Sequence, residues 1–261
     1  MAYAAVWSAH GLADTVTLFP VADGTLVDGG VFGPFDGLPD AWDWTFNKSG
    51  YEGTITLALS NPGNGLEHRV VWEYDLTTIA MDAPLTARLT FTLRGAPVFP
   101  FPDVDVWIFA YPADLVESPD DYLAGPAVAQ GHVTVAPFQD PTVFHINVSD
   151  VVNEALVDGS DSVAFRFQID PNAPNPANQA FIDALDAEPT TKPFLTITDG
   201  RLGDADGDGV IDLTDYAAFN ACLAGPGIPL GPDCAVDDFD FDGDVDLADF
   251  QRFERALSDK P

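Results

Sequence analysis

The chain has 261 residues and a mass of 27.9 kDa, with 42 acidic against 10 basic side chains and a formal net charge of −32. That charge argues against nucleic acid, whose phosphates need Lys and Arg, and against an anionic membrane surface. An apolar content of 46% is too high for a disordered acidic chain, and no stretch approaches the ~20 apolar residues of a membrane span, so the chain is expected to fold around a core without crossing a bilayer.

Residues 1–14, MAYAAVWSAHGLAD, lack the basic start and long apolar stretch of a secretory signal, and their Ala-rich triplets suit a mature form. They are read as an arm. Tyr3, Ala5 and Trp7 alternate with Ala4 and Val6, apolar enough for a strand buried on both faces. Such an arm either pairs within its own sandwich or completes a neighbouring subunit's sheet, a head-to-tail contact that propagates into a filament.

From residue 15 to 199 the text consists of short β-rich runs separated by Gly, Pro, Asn and Asp. Strands are predicted at Thr15–Phe19, Thr54–Leu59, Arg69–Tyr74, Ala87–Leu93, Val104–Tyr111, His132–Ala136, Val143–Val148, Ser162–Asp170 and Phe194–Thr198. Ser162–Asp170 alternates Val163, Phe165, Phe167 and Ile169 with Ala164, Arg166 and Gln168, the pattern of a half-buried strand. Two short helical pieces are predicted at Asp150–Leu156 and Gln179–Leu185. Frequent turns and the lack of long helices between strands favour a two-sheet β-sandwich over a parallel α/β fold. Trp107, Phe109 and Tyr111 share one face of their strand, opposite Val104, Val106 and Ile108, and with Trp42 and Trp44 are candidates for stacking on sugar rings; the other reading makes the three a second core face.

After Asp199 the composition changes, and residues 200–261 form a second module, joined at Gly200 and Gly203. Residues 201–261 hold 15 acids against 4 bases. Asp204, Asp206, Asp208, Asp212 and Asp215 occupy positions 1, 3, 5, 9 and 12 of a loop with Gly209 at position 6. Asp238, Asp240, Asp242, Asp246 and Asp249 repeat that register 34 residues later, with Gly243 at the turn. Calcium takes six to eight oxygens at ~2.3–2.6 Å, which such a loop supplies from alternate side chains and one carbonyl at position 7, here Val210 and Asp244. Two Ca2+ ions are expected, and Ile211 and Val245 at position 8 are expected to pair the loops. Each loop runs into a helix pattern, with stripes Tyr216, Phe219, Leu223 and Phe250, Phe253, Leu257. The two cysteines, Cys222 and Cys234, suit one local disulfide in an oxidising compartment, with a buried thiol pair as the alternative.

The double loop and its helices, roughly residues 203–258, resemble a type I dockerin, the calcium module that anchors secreted bacterial proteins through cohesin domains. The partner-reading positions depart from the family, being Leu213-Thr214 and Leu247-Ala248 instead of a Ser/Thr-rich pair, and the insert carries the cysteines. The resemblance therefore implies calcium-dependent folding more strongly than a cohesin partner. HRVVWEYDL at 68–76, LTARLTFTL at 85–93, DVWIFAYPADL at 105–115, FHINVSDVV at 144–152 and PFLTITD at 193–199 resemble DNRLRE jelly-roll domains and related carbohydrate-binding modules. Both resemblances imply an extracellular or cell-surface location of bacterial type.

No catalytic constellation is evident: His10, His68, His132 and His145 are scattered, and Asp103 with Asp105 is the one acid pair weighed for glycosidase work. The sequence is therefore read as a non-enzymatic, calcium-stabilised subunit of an extracellular assembly that self-associates through its arm. The alternative is a secreted polysaccharide-binding module on a dockerin-like anchor.

Overall fold

The protein is described here by a computed structural model covering residues 15–29, 56–60, 66–80, 85–95, 104–125, 131–135, 141–170, 179–184, 191–205, 210–231, 234–240 and 242–258. The expected arm, with Tyr3, Ala5, Val6 and Trp7, lies outside these residues, as do His10, Trp42, Trp44 and Asp103. The chain is mainly β. Its strands are β1 (Thr15–Leu18), β2 (Ala22–Gly29), β3 (Thr56–Ser60), β4 (Leu66–Asp75), β5 (Leu85–Gly95), β6 (Val104–Tyr111), β7 (Gly131–Val135), β8 (Thr142–Asn147), β9 (Ser162–Ile169), β10 (Gln179–Asp183) and β11 (Phe194–Asp199). Helix α1 (Ser149–Val157) precedes β9, and α2 (Leu213–Cys222) and α3 (Leu247–Ser258) follow the strands.

All the pairings are antiparallel. One layer runs β2-β4-β9-β6-β7; the other has β5 at its centre, with β8 on one edge and β11, then β10, along the other. The layers join where β3 pairs along β10 but touches β4 only at Ser60 opposite His68. They lie face to face, because side chains from strands that share no hydrogen bonds meet between them. The Phe91 ring of β5 stands 6.0 Å from Trp72 of β4 and 5.1 Å from Phe167 of β9. Each of these rings is fully buried, worth roughly 1.5–3 kcal/mol per large side chain. Helix α1 closes one end. Its Val152 enters the core, Asn153 exchanges two 2.8 Å hydrogen bonds with the Leu85 backbone, and the Ser149 hydroxyl accepts from the Ala87 amide.

The structure differs from expectation at three places in the sandwich. Gln179–Asp183 is a strand, not the start of a helix at Gln179–Leu185. It lies between β3 and β5, so both edges are hydrogen-bonded and both faces covered, with Ala180 and Ile182 in the core and Asp183 gripped by Arg94 at 2.7 Å through two bonds. The second difference is β2, absent from the predicted strands, which pairs with β4 from Ala22 to Gly29. The third is β9, expected to be half-buried but buried along its whole length. Residues 112–125, with a 3₁₀ turn at Pro119–Tyr122, strap the outer face of the first layer. Arg166 reaches up from β9 to the carbonyls of Tyr122 and Ala124, and the Arg69 guanidinium lies 3.9 Å from the Tyr122 ring. Gly24 lets the strap approach, since a Cβ there would meet the Glu117 carboxylate at 1.9 Å.

Under the strap sits Glu73, fully buried, its carboxyl pushed up to about 7 by burial and then by Asp121 and Asp114, with the Leu115 and Val116 amides offsetting part of the rise. Its proton is held more tightly in the folded than in the unfolded chain, so on its account stability falls as pH rises from about 4.5 to 7. Glu73→Gln is expected to stabilise the sandwich at pH 8 by on the order of 2–3 kcal/mol and by much less at pH 5. Thermal melts at the two pH values check this, and an equal gain at both would contradict it.

Candidate calcium centre and ligand face

The C-terminal module is built from two loop–helix units whose hydrogen bonds match one for one. In the second unit Asp249 Oδ1 accepts from the Phe239 amide at 2.7 Å, Asp249 Oδ2 from Asp246 at 2.8 Å, and Asp246 Oδ1 from Ala248 at 2.6 Å. In the first, Asp215 Oδ1 accepts from Ala205 at 2.8 Å, Asp215 Oδ2 from Asp212 at 2.7 Å, and Asp212 Oδ1 from Thr214 at 2.6 Å. Positions 9 and 12 thus close the loop and also form the capping box of the following helix, where the helix dipole favours negative charge. A folded loop and a helix start are one structure here.

The two helices pack through Phe219 and Phe253, both fully buried with ring centroids 4.8 Å apart, and Phe239 meets Phe253 edge-on at 6.1 Å. Leu223, expected in this stripe, instead follows the last turn of α2 and is 39% exposed, while Cys222 packs on the core. Gly203, at φ 81°, marks the entry; a Cβ there would stand 2.7 Å from the Phe239 ring. Cys222 and Cys234 are joined by a disulfide, closing an insert that lies against the second loop. Closing a loop of this length is worth about 3 kcal/mol. The Val245 carbonyl accepts from the Ala224 and Gly225 amides and the Gly243 carbonyl from Leu230, so the insert braces position 8 of the second loop; Ile211 and Val245 are buried in the same module core, with no backbone hydrogen bond between them among those of the described residues. Asp244, expected to serve through its carbonyl, has its carboxylate held by the Gly227 amide.

The second loop brings its acids together. Ligand oxygens of Asp238, Asp240 and Asp242 lie within 4.8 Å of one another, and so do those of Asp244, Asp246 and Asp249. One oxygen each of Asp238, Asp240 and Asp244 is buried without a hydrogen-bond partner. Burial, then the Asp249, Asp240 and Asp242 charges, push Asp238 up to about 6, although the Gly243 amide favours its ionised form. Asp240 is raised by burial, Asp249 and Asp242. Orphaned, crowded carboxylate oxygens are the donor set of a hard divalent cation, so these residues fit calcium. In the first loop Asp204 and Asp215 are buried beside the exposed Val210 and the half-buried Asp212, while Asp206 and Asp208 lie outside the described residues.

On the sandwich, Trp107, Phe109 and Tyr111 do not form an open platform. Phe109 and Tyr111 are buried: Arg166 lies 4.8 Å from the Phe109 ring, and the Tyr111 hydroxyl donates to Asp121 beneath the strap. Only Trp107 is half-exposed. An open aromatic pair lies elsewhere, where Phe19, 48% exposed, meets Phe194 edge-on at 6.4 Å. Beside it, Thr17, Thr196, Arg88 and Asn147 follow one another in register across β1, β11, β5 and β8 on the outer face of the second layer. Phe19 ends a run of alternating threonines, and that alternation is the signal that could have found it.

The described histidines are sheet residues. Burial lowers His68 to about 4, and His145, lowered by burial and then Arg88, shares a 3.0 Å hydrogen bond with the Thr90 hydroxyl. Asp105 accepts from Thr134 at 2.6 Å. Among the described residues no helix is long and apolar enough to cross a membrane.

Residues 202–258 match the family model for the dockerin type I domain. Comparison with the curated proteins finds no match. Among solved structures, the chain is similar to a xylan-binding module CBM15, with 14% identity, 71% of this chain and 96% of that one covered, and a TM-score of 0.37. It is similar also to a structure titled "CBM4 structure and function", with 13% identity, 67% and 89% covered, and a TM-score of 0.23.

Chelating calcium is expected to abolish the helical circular dichroism of α2 and α3 while leaving the aromatic signal of the Trp72–Phe91–Phe167 core. Asp249→Asn is expected to lower the affinity of the second loop at least tenfold by calorimetry. Unaltered helical signal, with metal removal verified by elemental analysis, would contradict the first, and an unchanged affinity the second.

Proposed function

We propose that this chain is a non-catalytic extracellular anchoring protein, whose C-terminal module binds two calcium ions and, so loaded, docks on a cohesin-type domain, holding the sandwich at a surface. The observation that carries the reading is the one-for-one repetition of loop, cap and helix within a segment that matches the dockerin type I model. Calcium neutralises the loops and fixes both helix starts, which presents Leu213 and Leu247, 75% and 68% exposed, at equivalent places on the two first turns. Two apolar side chains offered in this way suit burial against a partner better than solvent. Their departure from a Ser/Thr pair then selects which cohesin is bound; it does not remove the partner.

A second feature supports polysaccharide binding by the sandwich, the runner-up in the sequence reading. The Phe19–Phe194 pair offers an apolar ring face next to threonine hydroxyls, Arg88 and Asn147, a surface suited to stacking a sugar and hydrogen-bonding its hydroxyls. Among the described residues nothing favours the self-associating fibre, whose arm lies outside them.

Calorimetry with cohesin domains encoded in the same genome tests the anchoring role. Binding is expected with calcium and not after chelation, and Leu213→Asp with Leu247→Asp is expected to weaken it by at least a hundredfold while leaving calcium affinity unchanged. Calcium-independent binding, or no binding to any of those cohesins, would overturn it.

A further inference from the structure

Asp237 belongs to neither loop. It precedes the second, at the place Gly203 holds before the first. It is 1% exposed, and neither of its carboxylate oxygens has a hydrogen-bond partner. The peptide group that precedes it is held through both its polar atoms: the Asp237 amide donates to the Cys234 carbonyl at 3.1 Å, next to the disulfide, and the carbonyl of Val236 accepts from Gly203 at 2.8 Å, at the entry to the first loop. At that place in the first unit Gly203 is pressed by Phe239, position 2 of the second loop, and a side chain there would clash.

Burial, and after it the charges of Asp215 and Asp249, the position-12 acids of the two loops, disfavour the ionised form of Asp237. A buried carboxylate with no hydrogen-bond donor is one of the costliest arrangements in a protein interior. The Val236 carbonyl is bonded to Gly203, directly before position 1 of the first loop, and Asp237 directly precedes position 1 of the second, so it stands between the entries to the two loops, and the counter-charge it lacks is the one both loops are built to receive.

We propose that Asp237 is a shared carboxylate of the calcium pair, its charge drawing a cation into each loop although it lies outside the ligand register of both. This rests on the calcium reading above. The attraction is Coulombic, so it scales with the charge of the ion and acts on both loops. A merely structural role for Asp237 has neither property.

The test is calorimetric titration of the full chain, wild type and Asp237→Asn, with Ca2+ and with Tb3+, together with Asp237→Ala as a second variant without the amide. Asp237→Asn is expected to weaken Ca2+ at both loops by on the order of tenfold and Tb3+ by more, and Asp237→Ala to do the same. Unchanged affinity, a loss confined to one loop, or equal losses for the two ions would overturn the proposal while leaving the calcium reading standing. A wild-type chain that takes up neither ion would overturn both.

Discussion

Ten aspartates in two short loops cannot be gathered unless something positive sits among them, and the C-terminal module is organised around that constraint. The carboxylates at positions 9 and 12 hold loop and helix amides, and in the second loop their oxygens also lie within 4.8 Å of one another and of an Asp244 oxygen. The apolar core of the module is small, essentially Phe219, Phe239 and Phe253 with Ile211, Val245 and Leu202. A core of that size in about sixty residues is marginal on its own, which is the regime where metal and disulfide supply the missing stability. The insert fits this logic, since Cys222–Cys234 and the bonds to Val245 and Gly243 tie it to the second loop.

The sandwich rests on a different balance. Its interior is a continuous apolar cluster between the layers, centred on Trp72, Phe91 and Phe167, and needs no ion. On the outer faces several charged residues are buried or half-buried and matched: Arg94 with Asp183, Arg69 with Glu67, Arg166 with three strap carbonyls. Glu73 is the exception beneath the strap, with acids as its charged neighbours.

Elements with a strong period were legible in the sequence. Nine strands and α1 were visible because hydrophobic alternation and turn residues act locally, and the calcium register was visible because each ligand position is set by the loop's own geometry. What was hidden is nonlocal. Ala22–Gly29 carries Gly24 and Asp28 because a strap and Tyr122 cover them, information that lies some ninety residues away. Gln179–Asp183 has a spacing that suits a helix, but two flanking strands supply a ladder that a short helix cannot match. Trp107, Phe109 and Tyr111 alternate as an exposed platform would, and only the strap decides that two of them are core. Asp237 looked like one more acid in an acidic run until its burial separated it from the ligands.

Metal-filled loops are tested most directly by the calcium content of the chain purified from its native source without added metal or chelator. Elemental analysis is expected to return two calcium ions per chain, retained through gel filtration. A native chain with helices intact and no bound divalent ion would contradict the calcium reading.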